Sequence, residues 1–331
     1  MSIVSSELVW RRSQEVSDAT TNGGRMSHVS ITSGVKNNIF PDVSQAERLA
    51  GSTKYRKVFV HVANDDDLQL IAPRMYIETR TPGDDAVYLI PSTQRGTQTT
   101  ITGTEQKYGA GTLATTVSAG ATTIVVDTED GTIDIFPDNG KIRVSDKTNV
   151  SSAGNEEYKF IQSATYNGSQ ATIVLTTALA NGYSNTNTKV ALVYEPADVS
   201  AEVANFTVTS VAGTYNSSTY PVRGDNIGSI EQDWTITFTS STAYTISGDT
   251  VGAVSGSYNI ASDAVPNNPN FSKPYFTIPA LAFGGTWATG NTITFKTSPA
   301  AIPVWYMRKI PSGANSLSGN SVIVAVEGES A

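Results

Sequence analysis

The residue types that most often do chemistry are scarce in these 331 residues: there are two histidines, His28 and His61, and no cysteine. Without cysteine there is neither a disulfide framework nor a thiolate nucleophile. A Ser-His-Asp arrangement needs a histidine beside a nucleophile and an acidic orienter. Neither histidine lies in such a context, and no G-x-S-x-G elbow is present. His61 sits between apolar residues on a strand-like run, which predicts a packed or surface histidine. Acidic clusters are the other candidates: Asp65, Asp66 and Asp67, and the turn DTEDGTID (127–134) with Asp127, Glu129, Asp130 and Asp134. Calcium takes several oxygen ligands, but this turn lacks D-x-D-x-D-G spacing and has Thr128 and Thr132 at the positions concerned. Carboxylates at such turns are expected to be solvated caps that keep strand edges from pairing with other chains. Nothing points to a carboxylate pair for glycoside hydrolysis, and no nucleotide-binding glycine loop stands between a strand and a helix. Arg223-Gly224-Asp225 spells a short adhesion tripeptide that arises easily by chance and is given no role. The expectation is a non-enzymatic chain with no catalytic, metal or cofactor residues.

Charge narrows the partners. The net charge is -8, from 22 Lys+Arg and 30 Asp+Glu. No long segment has the basic excess that counterion release from nucleic acid requires, so direct nucleic-acid contact is not expected. The one basic stretch is RLAGSTKYRK (48–57). The opening MSIVSSELVW lacks the basic and apolar regions of a secretory signal, so synthesis in the cytoplasm is expected. No apolar run approaches the roughly 18 residues of a membrane span.

The elements that would carry any function are strands. Apolar residues make up 39% and charged residues 16%, with Thr, Ser, Asn and Gly making up much of the rest, as in short strands with polar outer faces. The predicted fold class is mainly β and multi-domain, with antiparallel sandwich or small-barrel modules. One short helix is expected near 44–50: Ser44 and Glu47 form an S-x-x-E capping box, and Gly51 ends the run. Residues 1–40 read as an extended, irregular assembly arm, because TTNGG (20–24) and SGVKNN (33–38) are turn chemistry. Residues 41–107 with 300–331 are expected to form one discontinuous anchoring β domain. Within it, YRKVFVHVA (55–63) puts Val58, Val60 and Val62 on one face. MYIET (75–79) and AVYLI (86–90) read as a hairpin or meander across RTPGDD. The final strand, SVIVAVEG (321–328), is apolar on both faces and should be central or covered.

Between these ends, YGAGTLATTVSAGA (108–121) reads as a linker into an inserted barrel or sandwich module, 108–195. Its five strands would be TTIVVD, KIRVS, EEYKFI, ATIVLTT and KVALVYE, separated by Gly- and Asn-bearing turns. A second sandwich module, 196–299, would place Trp234, Ile236 and Phe238 on one inward face, with Ile293 and Phe295. Its stretch AVPNNPNFSKP (264–274) reads as a long contact loop.

Two segments, SGVKNNIFPDVSQAERLAGSTKYRKVFVHVANDDD (33–67) and VWYMRKIPSGANSLSGNSVIVAVEGES (304–330), resemble structural proteins of contractile-tailed bacteriophages. The resemblance covers about the first hundred and last thirty residues and brings no active-site residues. It implies a virion protein of the neck, collar, tail or baseplate, neck or collar being preferred, built as a homo-oligomeric ring against other virion proteins. On that reading the assembly contacts would be Trp10, Ile39 and Phe40 from the arm, with Arg48, Arg56 and Lys57 setting register. The alternative is a tail-fibre, baseplate or capsid-decorating protein whose modules bind a receptor or glycan, with Tyr183, Tyr215 and Tyr220 exposed on loops.

Overall fold

Hydrophobic alternation at period two becomes a mainly β chain in the computed structural model, which describes residues 2–331. Among the described residues there is one α-helix, α1 (Gln45–Ala50). Its capping box forms as the sequence requires: Ser44 Oγ accepts from Glu47 N at 3.2 Å, and Glu47 Oε2 accepts from Ser44 N at 2.8 Å. Gly51 ends it at φ 78, where a side chain would be strained.

Five strands make the first sheet: β1 (Leu8–Glu15), β2 (Gly23–Ser30), β3 (Ser52–Val62), β5 (Ala86–Pro91) and the strand Ala301–Ile310. Their order is β2-β1-β3, then Ala301–Ile310, then β5. The strand Ala301–Ile310 lies between β3 and β5, paired with β3 from Ala301↔His61 to Ile310↔Ser52. Strands from the first hundred residues and the strand Ala301–Ile310 therefore share one sheet. The segment expected as an irregular arm contains two strands, β1 and β2. β1 pairs with β3 from Leu8↔Val62 to Arg12↔Val58, and β2 pairs with β1 through irregular register. Trp10 packs edge-on against Tyr306, with ring centroids 6.3 Å apart. Trp10, Ile31, Ile39 and Phe40 found their packing surface on their own chain, whereas Val16, Val29 and Val35 stay exposed.

β4 (Leu70–Thr79) does not form a hairpin with β5. It pairs with the C-terminal strand Ile323–Ser330 in a separate two-stranded sheet, while β5 pairs with Ala301–Ile310. RTPGDD turns the chain from one layer to the other instead of folding it back in plane. The apolar C-terminal strand is thus an edge strand and not central, the first of the two positions its composition suggested. The layers enclose a core that includes Val58, Val60, Met75, Tyr76, Leu89, Ile302 and Val304.

The second unit is a closed barrel of six strands: β6 (Ala110–Leu113), β7 (Thr123–Thr128), β8 (Lys141–Ser145), β9 (Glu156–Asn167), β10 (Gln170–Leu175) and β11 (Lys189–Leu192). Five were visible as alternating runs; β6 lies in the stretch read as a linker. Its Gly111 serves close approach, since a Cβ there would sit 2.5 Å from Asp127 O. Closure leaves the barrel no free edge.

The third unit is a five-stranded sheet beginning with β12 (Glu202–Thr209). The strands Thr292–Ser298, Gln232–Phe238, Ala243–Gly248 and Gly252–Asn259 follow in that order. Trp234, Ile236, Phe238, Ile293 and Phe295 share its buried face, over Phe276 and Trp287. Trp234 Nε1 donates to Thr297 Oγ1 at 2.8 Å, so its one polar atom is satisfied inside the core.

Candidate functional site

The basic stretch supplies the most heavily buried of the six assembly candidates. Lys57 is 2% exposed, and its ammonium donates to the carbonyls of Gly24, Thr93, Gln94 and Gly96 at 2.7–3.1 Å. Burial pushes it down to about 7, with Glu231 acting in the opposite direction. The ring of carbonyls replaces the water a buried cation would lose. Arg56 donates to Ser17 O and Asp18, and its guanidinium lies 5.9 Å from the centroid of the Phe40 ring. Arg308 covers the same ring at 4.7 Å. Ile39 and Phe40 pack against the core of the first sheet, and Arg48 donates to Val43 O. Arg56 and Lys57 therefore hold the chain's own loops in place. Sequence reasoning found them as a basic run but could not see that their acceptors are carbonyls distant in the chain.

His61 joins the first sheet to the third unit. It is fully buried; Arg11 Nε donates to its Nδ1 at 2.7 Å, and its Nε2 meets Asn226 O at 2.7 Å. That pair of contacts defines the neutral tautomer with the proton on Nε2. Burial pushes His61 down to about 4, the Arg11 charge lowers it further, and only the Asn226 carbonyl opposes. Phe271, from the loop read as a contact loop, lies edge-on to His61 at 5.8 Å and under Arg11 at 4.7 Å. Asn226 is itself clamped: its N donates to Asp67 Oδ1, its amide to Leu68 O, and its Oδ1 accepts from Ala201 N. Asp67, one of the three consecutive aspartates, thus caps a backbone amide across the junction. Asp65 pairs with Lys273 at 2.6 Å.

A second junction is ionic. Glu231, whose side chain is fully buried, accepts from Arg95 and Lys296 at 2.7 Å each and from Ser298 Oγ at 2.8 Å. Arg95 reaches on to Asp233 at 2.7 Å, and Arg25 pairs with Asp249. Hydrogen bonds to Asp233 and Glu231 hold the Arg95 guanidinium above its usual range, against burial.

The barrel meets β4 through a third polar cluster. Glu78, 1% exposed, takes Lys189 at 2.8 Å, and Arg143, also 1% exposed, pairs with Glu156 and stacks under Tyr76 at 4.7 Å. Tyr76 and Tyr158 both donate to Glu327 on the C-terminal strand. Two open cavities flank this junction. One of about 350 Å³ is lined by Glu78, Arg80, Lys147 and Lys189; one of about 600 Å³ is lined by Arg80, Asp84, Thr128 and Glu129. Burial raises Glu129 to about 8, against the nearby Arg80 charge. Its neighbour Asp130 pairs with Lys309 at 2.5 Å and accepts from Thr132. The acidic turn therefore stitches the barrel to the first sheet. Among the described residues no group of three or more His, Asp or Glu is placed to hold a metal ion.

Asp225 Oδ1 accepts from Ile227 N and Gly228 N, so the carboxylate of the Arg-Gly-Asp tripeptide holds its own turn. Tyr183 is buried in the barrel core with its hydroxyl on Glu157, and Tyr215 and Tyr220 are half-buried. Tyr215 packs among Phe206 and Phe283. The exposed aromatic loop set expected of a glycan binder is not formed by these three. Comparison with protein-family models, with curated proteins and with solved structures finds no match to this chain. Among the described residues no helix is long and apolar enough to cross a membrane.

Proposed function

We propose that this chain is a non-enzymatic structural protein of a contractile-tailed bacteriophage particle, a neck or collar component assembled from identical copies. The observation that carries the reading is the meeting of the two segments that resemble such proteins. Residues 33–67 contain β3, residues 304–330 contain most of Ala301–Ile310, and these strands are paired side by side. A resemblance confined to the two ends of a chain is expected to cover one folding unit, and the pairing of these strands supports that reading.

The three polar junctions support the same reading in physical terms. Buried ion pairs seldom add much net stability, but they penalise any misplaced arrangement heavily. Fixing the barrel and the third unit to the first sheet in one orientation suits a protein that must present fixed surfaces to neighbours. The test is mass spectrometry of purified particles with copy-number quantification, joined to electron microscopy with an antibody raised against the barrel. The reading expects a stoichiometric component located at the neck. A chain absent from intact particles overturns it, and one located only on fibres replaces it with the fibre reading.

A further inference from the structure

We propose that the outer edge of the C-terminal strand Ile323–Ser330 is a two-fold contact, filled by the same strand of a second copy of this chain. The strand's composition and its place in the fold disagree. Val322-Ile323-Val324-Ala325-Val326 is apolar on both faces, yet β4 is its only strand partner and Ile323 is 50% exposed. The backbone direction is defined by β4. Met75 exchanges both its hydrogen bonds with Tyr194, at 2.8 Å each, on the side away from the C-terminal strand. Val326 lies opposite Met75, so its N–H and C=O point outward. Val324, in unbroken register two residues away, points the same way. Open edges are normally blunted by charged side chains, proline or bulges; residues 322–326 carry no charge and no proline, and the strand's register shifts and its glutamates lie outside the stretch Val324–Val326.

The occupant follows from the sequence of the edge. Antiparallel pairing centred on Val324 sets Val324 opposite itself, Ile323 opposite Ala325, Val322 opposite Val326 and Ser321 opposite Glu327. Glu329 then falls level with the turn at Gly319, beyond the paired stretch, so no carboxylate faces another. Sliding the centre to Gly328 would set Glu327 against Glu329, which like-charge repulsion disfavours. The edge is thus complementary to itself; centring on Val324 alone pairs the whole apolar run 322–326 with itself, whereas centring on Val326 would set Glu327 against Ala325 and Glu329 against Ile323, and the outward groups of Val324 are those such a pair would bond. The contact closes at two copies and is independent of any ring.

The chain has no cysteine, so single cysteines placed at positions 322 to 326 of the full chain report this contact without background. Under mild oxidation the covalent dimer should form in highest yield for Val324→Cys, which faces its own copy. Sedimentation velocity on the unmodified chain should give the mass of two copies, and Val324→Pro and Ile323→Lys should each halve it with an unchanged far-ultraviolet spectrum. Should Val324→Pro alter that spectrum, Ile323→Lys alone decides. A single-copy mass at concentrations well above micromolar overturns the proposal. So does a cross-linking maximum at another position, or a dimer that survives Ile323→Lys. A chain that dimerises this way yet is missing from particles would refute the virion reading alone.

Discussion

Acid should weaken the junction between the first sheet and the third unit through His61, and by a calculable amount. The imidazole titrates near 6.5 when free and is held at about 4 in the fold, because it is buried and already accepts a hydrogen bond from Arg11. Between those values the unfolded chain binds a proton that the folded chain refuses, so stability falls as pH falls from 6.5 towards 4 and is flat below. A shift of this size corresponds to about 3 kcal/mol. His61→Gln keeps an acceptor for Arg11 and a donor for Asn226 O but cannot titrate. Urea unfolding followed by tryptophan fluorescence reports the right region, because Trp10 and Trp305 lie in the first sheet, Trp234 and Trp287 in the third unit, and none in the barrel. Paired carboxylates such as Asp18 and Asp249 also lose stability in acid, so the readout is the difference between the two proteins. Wild type should lose about 3 kcal/mol more than His61→Gln between pH 7 and 4. Equal losses would refute the assignment of His61 as a buried neutral acceptor.

Three further outcomes follow from the same structure. Lys57→Met should cost about 2–4 kcal/mol, since it strips four carbonyls of a shared donor while removing a buried charge; urea denaturation at pH 7 checks it. Gly111→Ala should destabilise the barrel by about 2–4 kcal/mol, because the new methyl would meet Asp127 O and Val126 Cγ1 at 2.5 Å, and thermal unfolding followed by circular dichroism would register the loss. Glu129, held at about 8, contributes stability at low pH that is lost as pH rises from its free value of 4.5 through 8. Glu129→Gln should therefore gain thermal stability relative to wild type on going from pH 5 to pH 9.

Much of the β architecture was legible because alternation is local. Trp234, Ile236 and Phe238 announce an inward face without reference to any partner, and Ser44 and Glu47 announce a helix start within four residues. What was missed depends on partners far along the chain. β1 and β2 carry Arg11, Arg12, Ser13, Arg25 and His28 in place of a clean apolar stripe, and only β3 and the loop at 93–97 give those segments somewhere to bind. β4 and β5 look like a hairpin from their spacing, yet each takes a strand from the last thirty residues. Lys57 read as an assembly contact and His61 as a packed or surface histidine, because the carbonyls that hold them come from loops that no periodicity reveals. The junctions were illegible for the same reason: Glu231 and Glu78 become buried acceptors only when separate units meet.

The place of Ala301–Ile310 has a consequence for how this protein is made. A ribosome delivers β3 and β5 early, but the strand that belongs between them emerges only after the barrel and the third unit. Until then the two flanking strands have open inner edges, exposed to mispairing with each other or with another chain. The closed barrel can complete itself from its own residues as soon as Leu192 has left the exit tunnel. Order of synthesis therefore runs opposite to order in space, with the inserted units formed first and the sheet that carries them closed last. A chain cut anywhere before Ala301 loses the middle of its first sheet, and the damage is far greater than the length removed implies.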